Sequence, residues 1–129
     1  MKRSLFAGAA LLAAVILPAG VSAQETIKIG VITAFSGQFA DTSAQIDNGI
    51  KLYMKQHGDK VAGKKIEIIR KDTGGPNPDV SKRLAQELVV RDKADILAGF
   101  ALTPEALGAA SVADEAKKFM VVMNAATAV

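Results

Sequence analysis

The sequence has 129 residues, with 16 basic side chains, 13 acidic side chains and a formal net charge of +3. It contains no cysteine, which excludes disulfide bonds, thiol nucleophiles and thiolate metal sites, so the fold must rest on its hydrophobic core. Without Lys2 and Arg3 the net charge is +1, and so small a net charge does not favour a nucleic-acid partner.

The N-terminus has the three parts of a secretory signal peptide. A basic pair at positions 2 and 3 precedes the apolar run Leu5–Leu17, and small residues follow up to Ala23. The run is shorter than the roughly 20 apolar residues that a membrane helix needs. The pattern predicts that residues 1–23 are cleaved after Ala23 and that residues 24–129 are periplasmic, with no stable membrane insertion. An uncleaved membrane anchor and a buried core helix are the alternatives.

Beyond residue 23, apolar segments with strand character alternate with amphipathic segments of helical period. Asn77 can cap a helix and Pro78 suits its first position. The alternation predicts an α/β fold with a parallel sheet and helices on both faces, here an incomplete domain because the sequence stops directly after a strand. The predicted strands are Ile27–Ile32, Ile66–Lys71, Asp95–Ala98 and Phe119–Met123, and the predicted helices are Asp41–His57 and those that open at Asn77 and Thr103.

Ligands of open α/β sheets bind beyond the carboxyl ends of the strands, where the winding reverses. The common strand order 2-1-3-4 places that point between the first and third strands, beside the loops 33–40 and 100–103, with 124–127 on the same edge. Three phenylalanines fall in these loops and suit the walls of a pocket for an apolar or aromatic ligand. Packing onto the end of the sheet is the alternative. The three are Phe35, Phe39 and Phe100.

Polar groups in the same loops suit an anionic ligand. Ser36 and Gly37 follow the first strand, and Gly37 permits a close backbone approach. Thr103 begins a predicted helix, whose free N–H groups and dipole favour a carboxylate. A simple N-cap is the alternative for Thr103, and the two roles can coexist.

Several stretches resemble the leucine/isoleucine/valine-type binding proteins of ABC transporters. Ile27–Gly37 is similar to the opening of those proteins. Gly63–Glu67, with Asp72 and Asn77-Pro78, is similar to their second strand and the loop after it. Asn124–Thr127 is similar to their Ala-Ala-Thr loop. The resemblance covers nearly all of residues 24–129. It implies the first lobe of the type I periplasmic-binding fold.

The resemblance also implies a role and a site. It implies an extracytoplasmic solute-binding protein that captures an amino acid or another small organic acid and delivers it to a membrane permease, without a cofactor or a metal. The family's ligand contacts carry over to Thr103, Ala125 and Thr127, with Ala101 offering backbone groups. Phe100–Thr103 replaces the serine-rich stretch of amino-acid binders, which makes the chain resemble members that take aromatic or other small organic acids.

The residues alone leave two other classes of protein as alternatives. An α/β enzyme is disfavoured, because Ser36 is not in a Gly-x-Ser-x-Gly elbow and Gly63-Lys64-Lys65 lacks the remainder of a phosphate loop. Asp72 is expected to shape a loop, since an isolated acid names no reaction. A ligand-sensing domain of a receptor or regulator with the same fold is the other alternative.

Overall fold

A computed structural model of the protein describes residues 25–126, which form one mixed sheet with helices on both sides. In chain order the elements are β1 (Thr26–Thr33), a 3-10 turn (Gly37–Phe39), α1 (Ala40–His57), β2 (Lys60–Val61), β3 (Lys64–Asp72), α2 (Pro78–Val90), β4 (Ile96–Gly99), α3 (Thr103–Glu115) and β5 (Phe119–Val122). The leader predicted at residues 1–23 lies outside the described residues. None of the helices between residues 25 and 126 is long and apolar enough to cross a bilayer.

The strand order is β2-β3-β1-β4-β5, and β1, β3, β4 and β5 run parallel. This confirms the α/β class and the predicted order of the four main strands. The short edge strand β2 was not predicted. It pairs antiparallel with β3 through a tight turn in which Ala62 and Gly63 have φ of 48° and 79°. Two residues are too few to show a strand period, so the sequence pattern could not reveal it.

The face of the sheet that α2 and α3 cover holds the main core. Ile32 of β1 and Leu97 of β4 are fully buried there, and they share this core cluster with Leu84 and Leu88 of α2. Asn77 caps α2 as predicted, because its side-chain oxygen accepts a hydrogen bond from the Val80 amide at 3.1 Å. The cap fixes where the helix begins, immediately after the loop that leaves β3.

The spacing of Ala106, Ala110 and Ala113 predicts a thin, small-residue face on α3. Ala106 and Ala113 are buried as predicted, but Ala110 is exposed and Ala109 is fully buried. Small residues bring α3 close to α2, so that an ideal Cβ on Gly108 would lie 2.1 Å from the Pro78 carbonyl oxygen.

Helix α1 lies on the opposite face, as ion pairs from adjacent residues of β3 show. Arg70 Nε bonds Asp47 of α1 at 2.6 Å, whereas Lys71 Nζ bonds Glu87 of α2 at 2.6 Å. Neighbouring strand residues point to opposite faces, so the two helices lie on opposite sides of the sheet. Burial opposes ionisation of Asp47, but hydrogen bonds and charge from Lys51 and Arg70 outweigh it and hold the pKa of this carboxyl below its usual value.

Candidate functional site

The loops that leave β1, β3, β4 and β5 meet at the carboxyl edge of the sheet. Backbone hydrogen bonds join neighbouring loops there, with the Phe100 amide donating to the Ile32 carbonyl at 2.7 Å and the Thr73 amide to the Thr33 carbonyl at 3.0 Å. Because β1 lies between β3 and β4, this edge is where the winding reverses. The structure therefore brings together the loops that the sequence placed beside a ligand.

Gly37 and Asp72 hold the loop after β1 against the loop after β3. Gly37 has φ of 79°, and an ideal Cβ there would lie 2.8 Å from the Gly74 carbonyl oxygen, so the close approach needs glycine. Asp72 Oδ1 accepts hydrogen bonds from the amides of Ser36 at 3.2 Å and Gly74 at 2.9 Å. Asp72 thus has the predicted role of shaping a loop.

The ionised form of Asp72 is favoured in this arrangement. Burial opposes ionisation, but hydrogen bonds from the Ser36 side chain and from the amides of Gly74, Ser36 and Phe35 hold the pKa of Asp72 below its usual value. The Ser36 residue is exposed at the loop surface. Its side chain is therefore both accessible and oriented by Asp72.

The three phenylalanines of these loops lie in different environments. Phe35 and Phe39 are half-buried, so each presents part of its ring at the loop surface. Phe100 is fully buried in the core, and its backbone has φ of 59°. Phe100 therefore follows the alternative of core packing, and its ring is not a pocket wall in this structure. The preceding Gly99, with φ of 107°, makes the sharp turn that directs the ring inward.

Thr103 is the first residue of α3 and is half-buried, but it does not cap the helix. The cap position belongs to Leu102, whose backbone is extended and whose amide donates to Glu105 Oε2 at 3.1 Å. The Thr103 hydroxyl instead donates to the Ala126 carbonyl at 3.3 Å. The hydroxyl thus lies between the loops after β4 and β5, close to where a ligand was predicted.

The alanines of the predicted site provide backbone contacts within the protein. The Ala101 amide donates to Thr33 Oγ1 at 3.4 Å, and its carbonyl accepts from the Asn124 side chain at 3.0 Å. Ala125 is half-buried and its amide donates to the Phe100 carbonyl at 3.1 Å. These bonds hold the loop after β5 against the loop after β4. Thr127 lies outside the described residues.

Sequence reasoning missed two buried polar residues under these loops. Glu105 is fully buried and its Oε1 accepts a hydrogen bond from the Thr73 hydroxyl at 2.5 Å, and Thr73 is itself buried. Burial raises the pKa of the Glu105 carboxyl, and hydrogen bonds from Thr73 and from backbone amides oppose that rise only in part. The signal that could have found Glu105 is its place three residues after a helix cap, where acids turn back onto the cap amide.

The hydrogen-bond donors of these loops are neutral. Residues 33–40, 72–77, 100–103 and 123–126 contain no lysine or arginine. A bound carboxylate at this edge would therefore rely on hydroxyl and backbone N–H groups rather than on an ion pair. Among residues 25–126 no cluster of side chains is suited to holding a metal ion.

A separate apolar groove of about 470 Å³ lies between α1 and the sheet. Four residues that share one face of α1 by their helical spacing line it, namely Ile46, Ile50, Tyr53 and Met54. None of the residues 25–126 that line it is charged. Gln45 and Tyr53 are its polar lining residues, and the others are apolar or glycine. The loop edge is the better candidate site, because ligands of open α/β sheets bind where the winding reverses.

Comparison with known proteins supports the fold. A 41% identical stretch of 111 residues matches Leu/Ile/Val-binding protein homolog 6 of Brucella abortus, covering 86% of this chain and 28% of that protein. A solute-binding protein of an ABC transporter from Rhodopseudomonas palustris BisB5, solved with 3,4-dihydroxybenzoic acid, is 56% identical, with a TM-score of 0.77 over 79% of this chain and 28% of its own. Another, from Rhodopseudomonas palustris HaA2 and solved with p-hydroxybenzoic acid, is 48% identical, with a TM-score of 0.77 over 80% of this chain and 28% of its own.

The chain thus spans about 28% of the length of these relatives. The match to the family model described as periplasmic binding protein extends over residues 26–128 and includes every element of the sheet. The parallel order of the main strands and the loops gathered at their carboxyl edge fit that match. The chain belongs to the periplasmic binding protein family.

Proposed function

We propose that this protein is the extracytoplasmic solute-binding component of an ABC transporter and that it captures an aromatic carboxylic acid. The observation that carries the proposal is the combination of half-buried Phe35 and Phe39 with the hydroxyls of Ser36 and Thr103 at one edge of the sheet. Aromatic walls complement a ring, and neutral donors can hold its carboxylate. A membrane permease would be the partner that receives the solute.

The ligand contacts follow from these positions. Thr103 would donate to the carboxylate after releasing the Ala126 carbonyl, and Thr127 would add a second hydroxyl from the loop after β5. Ala101 and Ala125, whose amides are bonded within the protein, would form the floor of the site, and Ser36 would meet a polar substituent of the ligand. The Phe100 ring would act from beneath by holding the loop in shape. Further contacts would come from chain beyond these residues, because the relatives are longer.

The solved relatives support the aromatic class. The two Rhodopseudomonas palustris proteins described above were solved with hydroxylated benzoic acids at 56% and 48% identity. Isothermal titration calorimetry of the full-length protein with 3,4-dihydroxybenzoate, 4-hydroxybenzoate, benzoate, leucine, isoleucine and valine tests the proposal. We expect heat of binding from at least one benzoate. Binding of the branched-chain amino acids without any benzoate would contradict the aromatic class.

Replacing Thr103 by valine should weaken binding of the preferred benzoate on the order of tenfold or more. The change keeps the shape and removes one charge-assisted hydrogen bond, worth about 1.5–3 kcal/mol. Calorimetry gives the affinities, and circular dichroism checks the fold. Thr26→Val is the matched control, because Thr26 lies at the other end of β1 from the loops. Equal affinity of folded Thr103→Val and wild type would remove Thr103 from the site.

Export is a further part of the proposal, with residues 1–23 as the cleaved leader. The expected form in the periplasm begins at Gln24, because the small residues at positions 21–23 suit a signal peptidase. Intact-mass analysis of the periplasmic fraction measures this start directly. A membrane-bound form that retains residue 2 would contradict cleavage.

A further inference from the structure

Glu105 is a buried carboxylate without a basic partner in the described part of the chain. Its residue is 0% exposed, and none of the ion pairs among residues 25–126 includes it. Glutamate is rarely buried completely unless it is paired, because removing its charge from water is costly. The surroundings of Glu105 must therefore supply other stabilising groups.

Those groups come from three different loops of the candidate site. Oε1 accepts from the Thr73 hydroxyl in the loop after β3 at 2.5 Å, and Oε2 accepts from the Leu102 amide in the loop after β4 at 3.1 Å. The amides of Ala101 and of Ala34, which directly follows β1, also lower the pKa of this carboxyl against the rise that burial causes. The Glu105 side chain thus hydrogen-bonds the loops after β3 and β4 and lies beside the start of the loop after β1.

The backbone of Glu105 extends the same connection to α2. The Ser81 hydroxyl donates to the Glu105 carbonyl at 2.7 Å, and Ser81 is fully buried. Glu105 also occupies the position at the beginning of α3 where free amides would otherwise attract an external anion. A ligand carboxylate is therefore left to the hydroxyls at the surface, such as that of Thr103.

We propose that Glu105 is the positioning residue of the ligand site: its carboxylate holds the loops after β1, β3 and β4 in the arrangement that places Ser36 and Thr103 toward the ligand. It acts through Thr73 and the amides of Ala34, Ala101 and Leu102 and does not contact the ligand itself. The expected effect of Glu105 on ligand affinity rests on the proposed function. The ordering of the loops is a consequence that needs no ligand.

Thr73 offers the sharpest test, because it is buried and is not among the residues proposed to bind ligand. Thr73→Val removes the hydroxyl that Glu105 accepts, and Thr73→Ser keeps it. Calorimetry of the full-length protein with 3,4-dihydroxybenzoate and 4-hydroxybenzoate should show affinity lower by about fivefold or more for Thr73→Val. Thr73→Ser should restore affinity to within about twofold of wild type, since a single hydroxyl is sufficient.

A second arm follows hydrogen exchange in the ligand-free protein. The amides of Ala34, Ala101 and Leu102 should exchange faster in Thr73→Val, which removes one of the groups that holds the carboxylate. They should also exchange faster in Glu105→Gln, since the glutamine NH₂ is itself a donor and cannot accept the hydrogen bonds that a carboxylate oxygen accepts. Val112→Ala is the control, because this buried residue lies on the same helix but outside the site. It should lower global stability and leave both the affinity and the relative protection of the three amides unchanged.

The outcomes separate the two hypotheses. If wild type binds none of the three benzoates, the aromatic class of the proposed function fails, and the exchange arm alone decides whether Glu105 orders the loops. If wild type binds and Thr73→Val binds equally well, Glu105 does not position the site. Unchanged exchange at all three amides in Glu105→Gln would overturn the inference whichever ligand binds. If Val112→Ala lowers the affinity and the protection of the three amides as much as Thr73→Val does, Glu105 contributes only to the general stability of the fold. That result would also overturn the inference.

Discussion

Replacing Leu88 by alanine is expected to lower the free energy of unfolding by about 2–5 kcal/mol. Leu88 is fully buried in the core between α2 and the sheet. It lies directly on the backbone of β1, so that an ideal Cβ on Gly30 would be only 2.5 Å from Leu88 Cδ1. Truncation removes apolar contacts and leaves a cavity that the sheet backbone cannot collapse to fill.

Urea unfolding of the full-length protein, followed by circular dichroism, measures this loss. Leu52→Ala is the matched control, since Leu52 is 55% exposed on α1 and its truncation should change stability by about 0.5 kcal/mol or less. Equal stability of Leu88→Ala and Leu52→Ala would show that the core does not depend on α2 in this way.

The contact between Leu88 and Gly30 can be isolated by a double-mutant cycle. Gly30→Ala alone should destabilise the protein, because its methyl group would overlap the Leu88 side chain. In the Leu88→Ala background the same methyl group enters vacated space and should cost less. Additive effects of the two changes would contradict direct contact.

The second large effect is expected from Gly108→Ala, which should lower the free energy of unfolding by about 1–3 kcal/mol. An ideal Cβ on Gly108 would lie 2.1 Å from the Pro78 carbonyl oxygen, and backbone cannot move aside as a flexible side chain can. The two helices would have to separate. Pro78 begins α2 immediately after the loop that contains Thr73, so benzoate affinity should fall as well.

Gly49→Ala is the matched control for Gly108→Ala. Gly49 lies in α1, and an ideal Cβ there meets no atom within 4 Å. Alanine is the better helix former by about 0.8–1.0 kcal/mol, so this variant should be as stable as wild type or more stable. Urea unfolding compares the two directly. A Gly108→Ala protein that gains stability as Gly49→Ala does would contradict the close approach of α2 and α3.

Local patterns in the sequence were sufficient for the class of the fold and the order of its main elements. Asn77 and Pro78 determine where α2 begins, because capping and a fixed φ act within a few residues. The apolar residues of α1 at helical spacing share one face of the helix, with Ile46 and Ile50 in the groove beside the sheet. The loops at the carboxyl edge followed from the strand order alone, since parallel strands end on one side.

Contacts between distant segments decided the character of the site. A loop phenylalanine looks alike in sequence whether it faces ligand or core, and only the turn at Gly99 buries Phe100 while Phe35 stays half-exposed. Glu105 looks like an ordinary first-turn acid, yet α2, α3 and three loops together remove it from water. Burial and the hydrogen bonds that it requires depend on contacts between distant segments, so the spacing of residues within one segment does not predict them. The sequence therefore determined where the loops at the carboxyl edge lie, and the tertiary structure decided which side chains they present and which carboxylate is buried beneath them.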